Sequence, residues 1–336
     1  MMYRRCLILV VALLAGILQA DAQKKTFKEK VSLLGHRIDS ALTKRYWRAD
    51  IDTNYVIRPQ TKWTLLGRFK VSGARIWTER EVSGECFESM MKADYKTTVS
   101  AGVSYVGLSL YLSLNPAKMF GKYHDYELMF RSYGRRFGFD ITYHDAHNFK
   151  GWYEWEGVRQ NVTTTTEDVF KLRTLNVNAY YVFNARRFSY PAAFSHSYIQ
   201  RHSAGSFLLA ASGQGQNGKV NAQGQTMKLK TTNIGIGAGY GYNWVPARGW
   251  LVHISALPTF IFFSKTSVLV DDMKVPLHYH FPEVIITGRG AIVKQIGRNK
   301  FAGLAGVYSY SHIGDKKSLA VDNQKWFAQF YFGFRL

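Results

Sequence analysis

Three things are scarce in this 336-residue sequence: cysteine, acidic side chains and long apolar runs. The two cysteines, Cys6 and Cys86, exclude a disulfide scaffold, because the first belongs to an N-terminal leader and the second then has no partner. After that leader no segment approaches about 18 consecutive apolar residues, so no transmembrane helix is expected. Acids number 23 against 44 lysines and arginines, a formal charge of +21. In an exported chain that excess points to acidic surfaces or anionic lipid rather than nucleic acid. G-x-S-x-G is missing too, which removes the usual serine-hydrolase elbow.

The leader reads MMYRRCLILVVALLAGILQADAQKK. Arg4 and Arg5 precede an apolar run from Cys6 to Leu18, and Ala20-Asp21-Ala22 supplies small residues for cleavage after Ala22. LLAG is followed by Ile17, where a lipoprotein would need cysteine. Residues 1–22 are thus expected to be a signal peptide, 23–50 a periplasmic amphipathic helix, and 51–336 the main domain. The helix is read from Phe27, Val31, Leu34, Ile38 and Leu42, which recur at helical spacing between charged residues.

Beyond Ile51 the apolar period becomes two. Twelve runs follow: 61–80, 97–105, 106–115, 123–133, 136–145, 171–183, 203–212, 230–244, 250–263, 282–296, 300–312 and 324–336. Most exceed the five or six residues of an average soluble strand and match membrane-barrel lengths. In VGLSLYLSLN, Leu108, Leu110, Leu112 and Leu114 oppose Ser109, Tyr111 and Ser113. In RFGFDITYHD, Phe137, Phe139, Ile141 and Tyr143 oppose Asp140, Thr142 and His144. The polar faces are Ser, Thr, Asn and Gly, which suits a narrow lumen better than bulk solvent. NIGIGAGYGYNW obeys the same period: Ile234, Ile236, Ala238, Tyr240, Tyr242 and Trp244 share one face and four glycines the other. Its spacing is not G-x-G-x-x-G and no helix follows, so it is a strand whose bare inner side admits a plug or strong curvature.

Connections alternate in length. Long ones fall at 81–96, 116–122, 146–170, 213–229, 264–281 and 313–323, and short ones near Val106-Gly107, Gly134-Arg135, 245–249 and 297–299. Only 184–202 is long where a short turn belongs. The expected fold is all-β: a transmembrane outer-membrane antiparallel barrel of about twelve strands (between about ten and fourteen), with both termini periplasmic. Trp326, Ala328, Phe330, Phe332, Phe334 and Leu336 alternate to the last residue, like a signal read by the barrel-insertion machinery.

The stretches GLSLYLSLN, YGRRFGFDITYH, LRTLNVNAYYVFNARRFSYPAAFS and QRHSAGSFLLAAS resemble domain of unknown function family 4421, putative outer-membrane proteins found mainly in Bacteroidetes. The likeness spans most of 50–336. It implies the barrel and its location, and no activity.

Chemistry-bearing clusters are few. His144-Asp145 with His147, and His278 with His280, have residue types that bind metals but no four-ligand framework, so neither metal nor cofactor is expected. Ser195-His196, and His253 with Ser255, offer hydrolase residue types. The first pair lies in the 184–202 connection and the second on an inner strand face, away from lipid. The more informative set faces the lumen: Asp125, Glu127, Arg131, Asp140, His144, Asn176, Asn178, Glu283 and Arg289. These either pair structurally or line a polar path, with Arg131 and Arg289 favouring anions. The leading expectation is a non-enzymatic narrow pore for a small polar solute. The alternatives are a lipid acyl hydrolase, and a closed structural barrel holding envelope partners through 184–202 and the helix. Expected partners are outer-membrane lipid and lipopolysaccharide, the insertion machinery during assembly, and a periplasmic protein.

Overall fold

The computed structural model of the chain divides into two units, residues 1–49 and 50–336. It describes 32–33, 36–37, 39–41, 43–44, 46–47, and 50–336 without 83–84, 94, 107, 115–126, 148, 156, 164–169, 223–224, 271–272, 276–282 and 314–319. The expected signal peptide, the apolar stripe from Phe27 to Leu42, Asp125, His278 and His280 lie outside these residues. So do the side chains of Glu127, His147 and Glu283.

In the first unit the described residues are helical, and Thr43 Oγ1 donates to Asp39 one turn back at 3.0 Å. In the second, chain order gives β1 (Val56–Ile57), β2 (Trp63–Val82), β3 (Glu85–Ala93), β4 (Lys96–Tyr105), β5 (Leu108–Leu114) and β6 (Glu127–Tyr133). Then come β7 (Phe137–His147), β8 (Phe149–Trp155), β9 (Val158–Thr163), β10 (Phe170–Val182), a short helix α1 (Tyr190–Phe194), β11 (Ile199–Gln200) and β12 (Ala204–Ala222). The rest are β13 (Gln225–Trp244), β14 (Trp250–Val270), β15 (Met273–Val275), β16 (Glu283–Ile296), β17 (Lys300–Ile313) and β18 (Ala320–Arg335).

Twelve of these pair in sequence as neighbours, all antiparallel, and the ring closes where β18 pairs β2 from Ala320↔Glu79 to Arg335↔Thr64. Closure leaves no strand edge within the ring, which is the condition for a sheet in hydrocarbon. Trp63–Val82 is one unbroken strand, so Ser72-Gly73 makes no hairpin turn. The longest members, β2, β13 and β14, have 20, 20 and 21 residues, about twice what crossing requires. Their excess length stands at the long-loop end. There β3, β8 and β9 extend the sheet outward from β2, and β15 pairs β14. The expected loop 213–229 is largely strand, since β12 and β13 stay paired as far as Ala222↔Gln225.

Alternation decides which side each residue takes. Leu65, Phe69, Leu110, Leu112, Leu175, Ile234, Ile236, Ile254, Leu304 and Phe330 are exposed on the outside, while Ser100, Ser109, Tyr111, Asp140, Asn243 and His253 are buried within. Nearer the short-turn end the outer face becomes aromatic, with Trp63, Phe137, Phe183, Phe207, Trp244 and Trp250 exposed. Trp63 packs on Tyr105 at 4.5 Å and Phe137 on Tyr181 at 4.9 Å. An apolar belt edged by such a girdle is a lipid-facing surface. Among the described residues no helix is long and apolar enough to cross a membrane. Two short turns, at Gly249 (φ 78°) and Gly297 (φ 66°), need the left-handed backbone that glycine adopts freely.

Candidate functional site: a plugged basic lumen

The 184–202 connection is buried from Phe188 to Tyr198, while Asn184, Arg186, Arg187, Arg201 and His202 are exposed. The segment turns into the barrel and fills its short-turn end. Ser189 caps α1, its Oγ accepting from Ala192 N at 3.2 Å, and Pro191 sits in the first turn where it loses no helical bond. His196 closes the turn with φ 59°, a conformation uncommon for a side chain other than glycine. Its ring lies between Phe301 and Tyr331 at centroid distances of 4.4 and 4.5 Å. Ser195 and His196 are therefore core residues of the plug.

Polar bonds fasten the plug to the wall. Asn243 Nδ2 donates to Ser189 O (2.9 Å) and Gln200 Oε1 (3.0 Å), while Gln200 Nε2 donates to Arg187 O and His202 O. Arg335 reaches in from the last strand: Nη2 donates to His196 O at 3.3 Å and Nη1 to Gln295 Oε1 at 2.7 Å. Burial, seconded by the Arg335 guanidinium, holds the His196 imidazole well below its ordinary pKa of 6.5. Below the plug, β1 pairs β11, Arg186 pairs Asp50 (3.2 Å) and Arg187 pairs Asp52 (3.3 Å). Arg186 and Arg187 thus staple residues 50–52 under the plug, and Arg135 adds a bond to Asp50 O.

The glycine run serves both uses expected of it. A Cβ at Gly237 or Gly239 would run into the backbone of β14, at 2.4 Å from Pro258 O or 2.1 Å from Ala256 O, so close strand curvature needs glycine there. At Gly241 a Cβ would meet Phe188 of the plug at 3.1 Å.

Above the plug the lumen centres on Asp140. Its carboxylate pairs with Arg289 (3.6 Å) and accepts from Asn178 Nδ2 (3.3 Å), Tyr133 OH (3.4 Å) and Tyr180 OH (3.3 Å). Arg131 stands opposite Asp140 on β6. Four sequence-read residues, Arg131, Asp140, Asn178 and Arg289, therefore meet. Asn176 stands apart, taking a bond from Gln214 (2.9 Å), and His144 meets Lys96 Nζ (3.2 Å) further out. Among the described residues no three His, Cys, Asp or Glu side chains gather as metal ligands. Missed from sequence were Arg68, Lys70, Lys96, Lys325 and Arg335, all buried or half-buried on the inner face. Strand period alone would have found them. Arg68 lies 3.7 Å over the Tyr111 ring, and Lys70 5.6 Å over Phe327. Lys325 Nζ and Arg131 Nε are buried without a protein acceptor.

The model of the family described as Domain of unknown function (DUF4421) matches residues 50–336, the whole barrel unit. The chain belongs to that family. No curated protein matches it in sequence. Among solved structures, this DUF4421 chain is similar to an outer membrane channel from Pseudomonas putida F1, with 11% identity and a TM-score of 0.34 over 84% of this chain and 99% of that one. It is similar to the outer membrane protease OmpT from Escherichia coli, with 6% identity and a TM-score of 0.35 over 83% and 97%. A third likeness is to the translocator domain of autotransporter NalP from Neisseria meningitidis, with 10% identity and a TM-score of 0.30 over 94% and 100%. The barrel itself is established by the pairing of β2 with β18 and by its apolar belt: this DUF4421 member is an outer-membrane β-barrel.

Proposed function

We propose that the barrel is a gated pore for small anions, with the 184–202 connection as its gate on the periplasmic side. The observation that carries this reading is cationic donors without protein acceptors, Lys325 Nζ and Arg131 Nε, on the same inner wall as the guanidinium of Arg289 and above a plugged mouth. A buried cation is costly unless water or an anion meets it, so an entering anion gains where the wall does not. The short-turn end is the periplasmic end in such barrels, which puts the plug where it controls exit from the lumen.

Planar-bilayer recording tests this directly. The intact protein should conduct weakly or in brief openings. Replacing residues 188–198 by a short Gly-Ser linker should give a steady current carried mainly by anions. A linker variant that folds yet carries no current, or one that selects cations, overturns the proposal.

A further inference from the structure

We propose that Ser255, His253 and Asn243 form a hydrolytic triad on the lumen wall, acting on small acyl esters that carry an anionic group. His253 and Ser255 are two apart on β14, so the strand period sends both inward, and Asn243 on β13 lies directly opposite His253. His253 Nε2 is 3.0 Å from Ser255 Oγ, and Nδ1 is 2.7 Å from Asn243 Oδ1. The tautomer follows from the plug. Both donors of Asn243 Nδ2 are used on Ser189 O and Gln200 Oε1, so its oxygen faces the ring and must accept. Nδ1 therefore carries the proton, and bare Nε2 accepts from the Ser255 hydroxyl. That is the nucleophile, base and orienting group of acyl-transfer enzymes.

Fastening the plug needs only the Asn243 amide. It does not call for a bare imidazole nitrogen aimed at a serine, nor for what lies beyond that serine. Ser255 stands opposite Arg289 on the neighbouring strand, and both line one cavity with Tyr190. A guanidinium and a phenol thus flank the place where an oxyanion would form, and the guanidinium also suits a substrate carboxylate or phosphate. The open space is about 20 Å³, room for the single water that deacylation needs. An ester enters by moving the Arg289 side chain, which keeps 16% exposure.

In the reaction Ser255 Oγ bonds to the carbonyl carbon as its proton passes to His253 Nε2. The ester C–O bond breaks and that proton leaves with the alcohol. Water, deprotonated at the same nitrogen, then splits the acyl-serine into a carboxylic acid and free Ser255.

The test uses the full chain refolded in detergent, an alkyl fluorophosphonate, and two 4-nitrophenyl esters, the anionic hydrogen succinate and the neutral propionate. Mass spectrometry should find the phosphonyl group on Ser255, with labelling about 100-fold slower in His253→Gln. Asn243→Ala should slow it and move its pH profile, since the tautomer is no longer fixed. Arg289→Gln should raise KM for the hydrogen succinate ester while sparing the propionate. Heat-modifiable migration of Ser255→Ala confirms that the barrel still forms. Unlabelled Ser255 in a folded barrel, or equal labelling in His253→Gln, overturns the triad. Conductance reports separately on the pore: the plug-linker variant should lose Ser255 labelling while gaining current, because it lacks the groups that orient Asn243.

Discussion

At the level of Val182, Ala204, His253 and Arg335 the inward side chains are buried, whereas further along the same strands Asn178, Ser212 and Lys325 are half-exposed. Both levels are polar, and both belong to strands whose outer face meets lipid. The lower one ties Asn243, Gln200 and Arg335 to the chain's own backbone and side chains. The upper one leaves Lys325 Nζ and Arg131 Nε buried without a protein acceptor. In one barrel, then, some inward polar groups are met by the plug and others by no protein acceptor.

The largest break in this contrast is removal of the plug, which should raise single-channel current by an order of magnitude or more. Next comes the lipid belt: Ile236→Lys, at an outer position 56% exposed, should cost about 2–4 kcal/mol in urea unfolding from liposomes. Lysine at inward Asn176, two strands away, should cost far less, which separates the faces. Arg335→Ala removes two donors from His196 O and should cost about 1–3 kcal/mol, read as a lower temperature of heat modification. Acidification should act in the same direction and more weakly. The docked plug holds His196 neutral, so docking is fully stable above the ordinary pKa of 6.5 and weakens as pH falls below it. A several-fold rise in open time below that pH, absent in His196→Asn, would sharpen the assignment of the gate. The smallest effect is expected from Gly241→Ala, whose added methyl meets Phe188 at 3.1 Å and should only loosen the plug.

Period two made the barrel legible in the sequence, because one apolar and one polar face leave a strand no other register. Ser109 to Ser113 and Ile234 to Trp244 took the sides their spacing dictated. Length parity of the connections likewise exposed 184–202 as an exception. What the exception does was not legible, because Phe188, Tyr190, Phe194 and His196 have no periodic pattern, and their burial depends on twelve strands closing around them. The lumen cluster was half legible: Arg131, Asp140, Asn178 and Arg289 follow from alternation, but that they meet follows only from register across β6, β7, β10 and β16. Asn243 passed unnoticed inside a glycine run that drew attention to its backbone.

The seam between β2 and β18 carries one more implication. Thr64 must await Arg335 before the cylinder exists, so no partial translation product offers hydrocarbon a finished surface. Until then every intermediate carries a raw margin of unpaired backbone groups on which another chain can add.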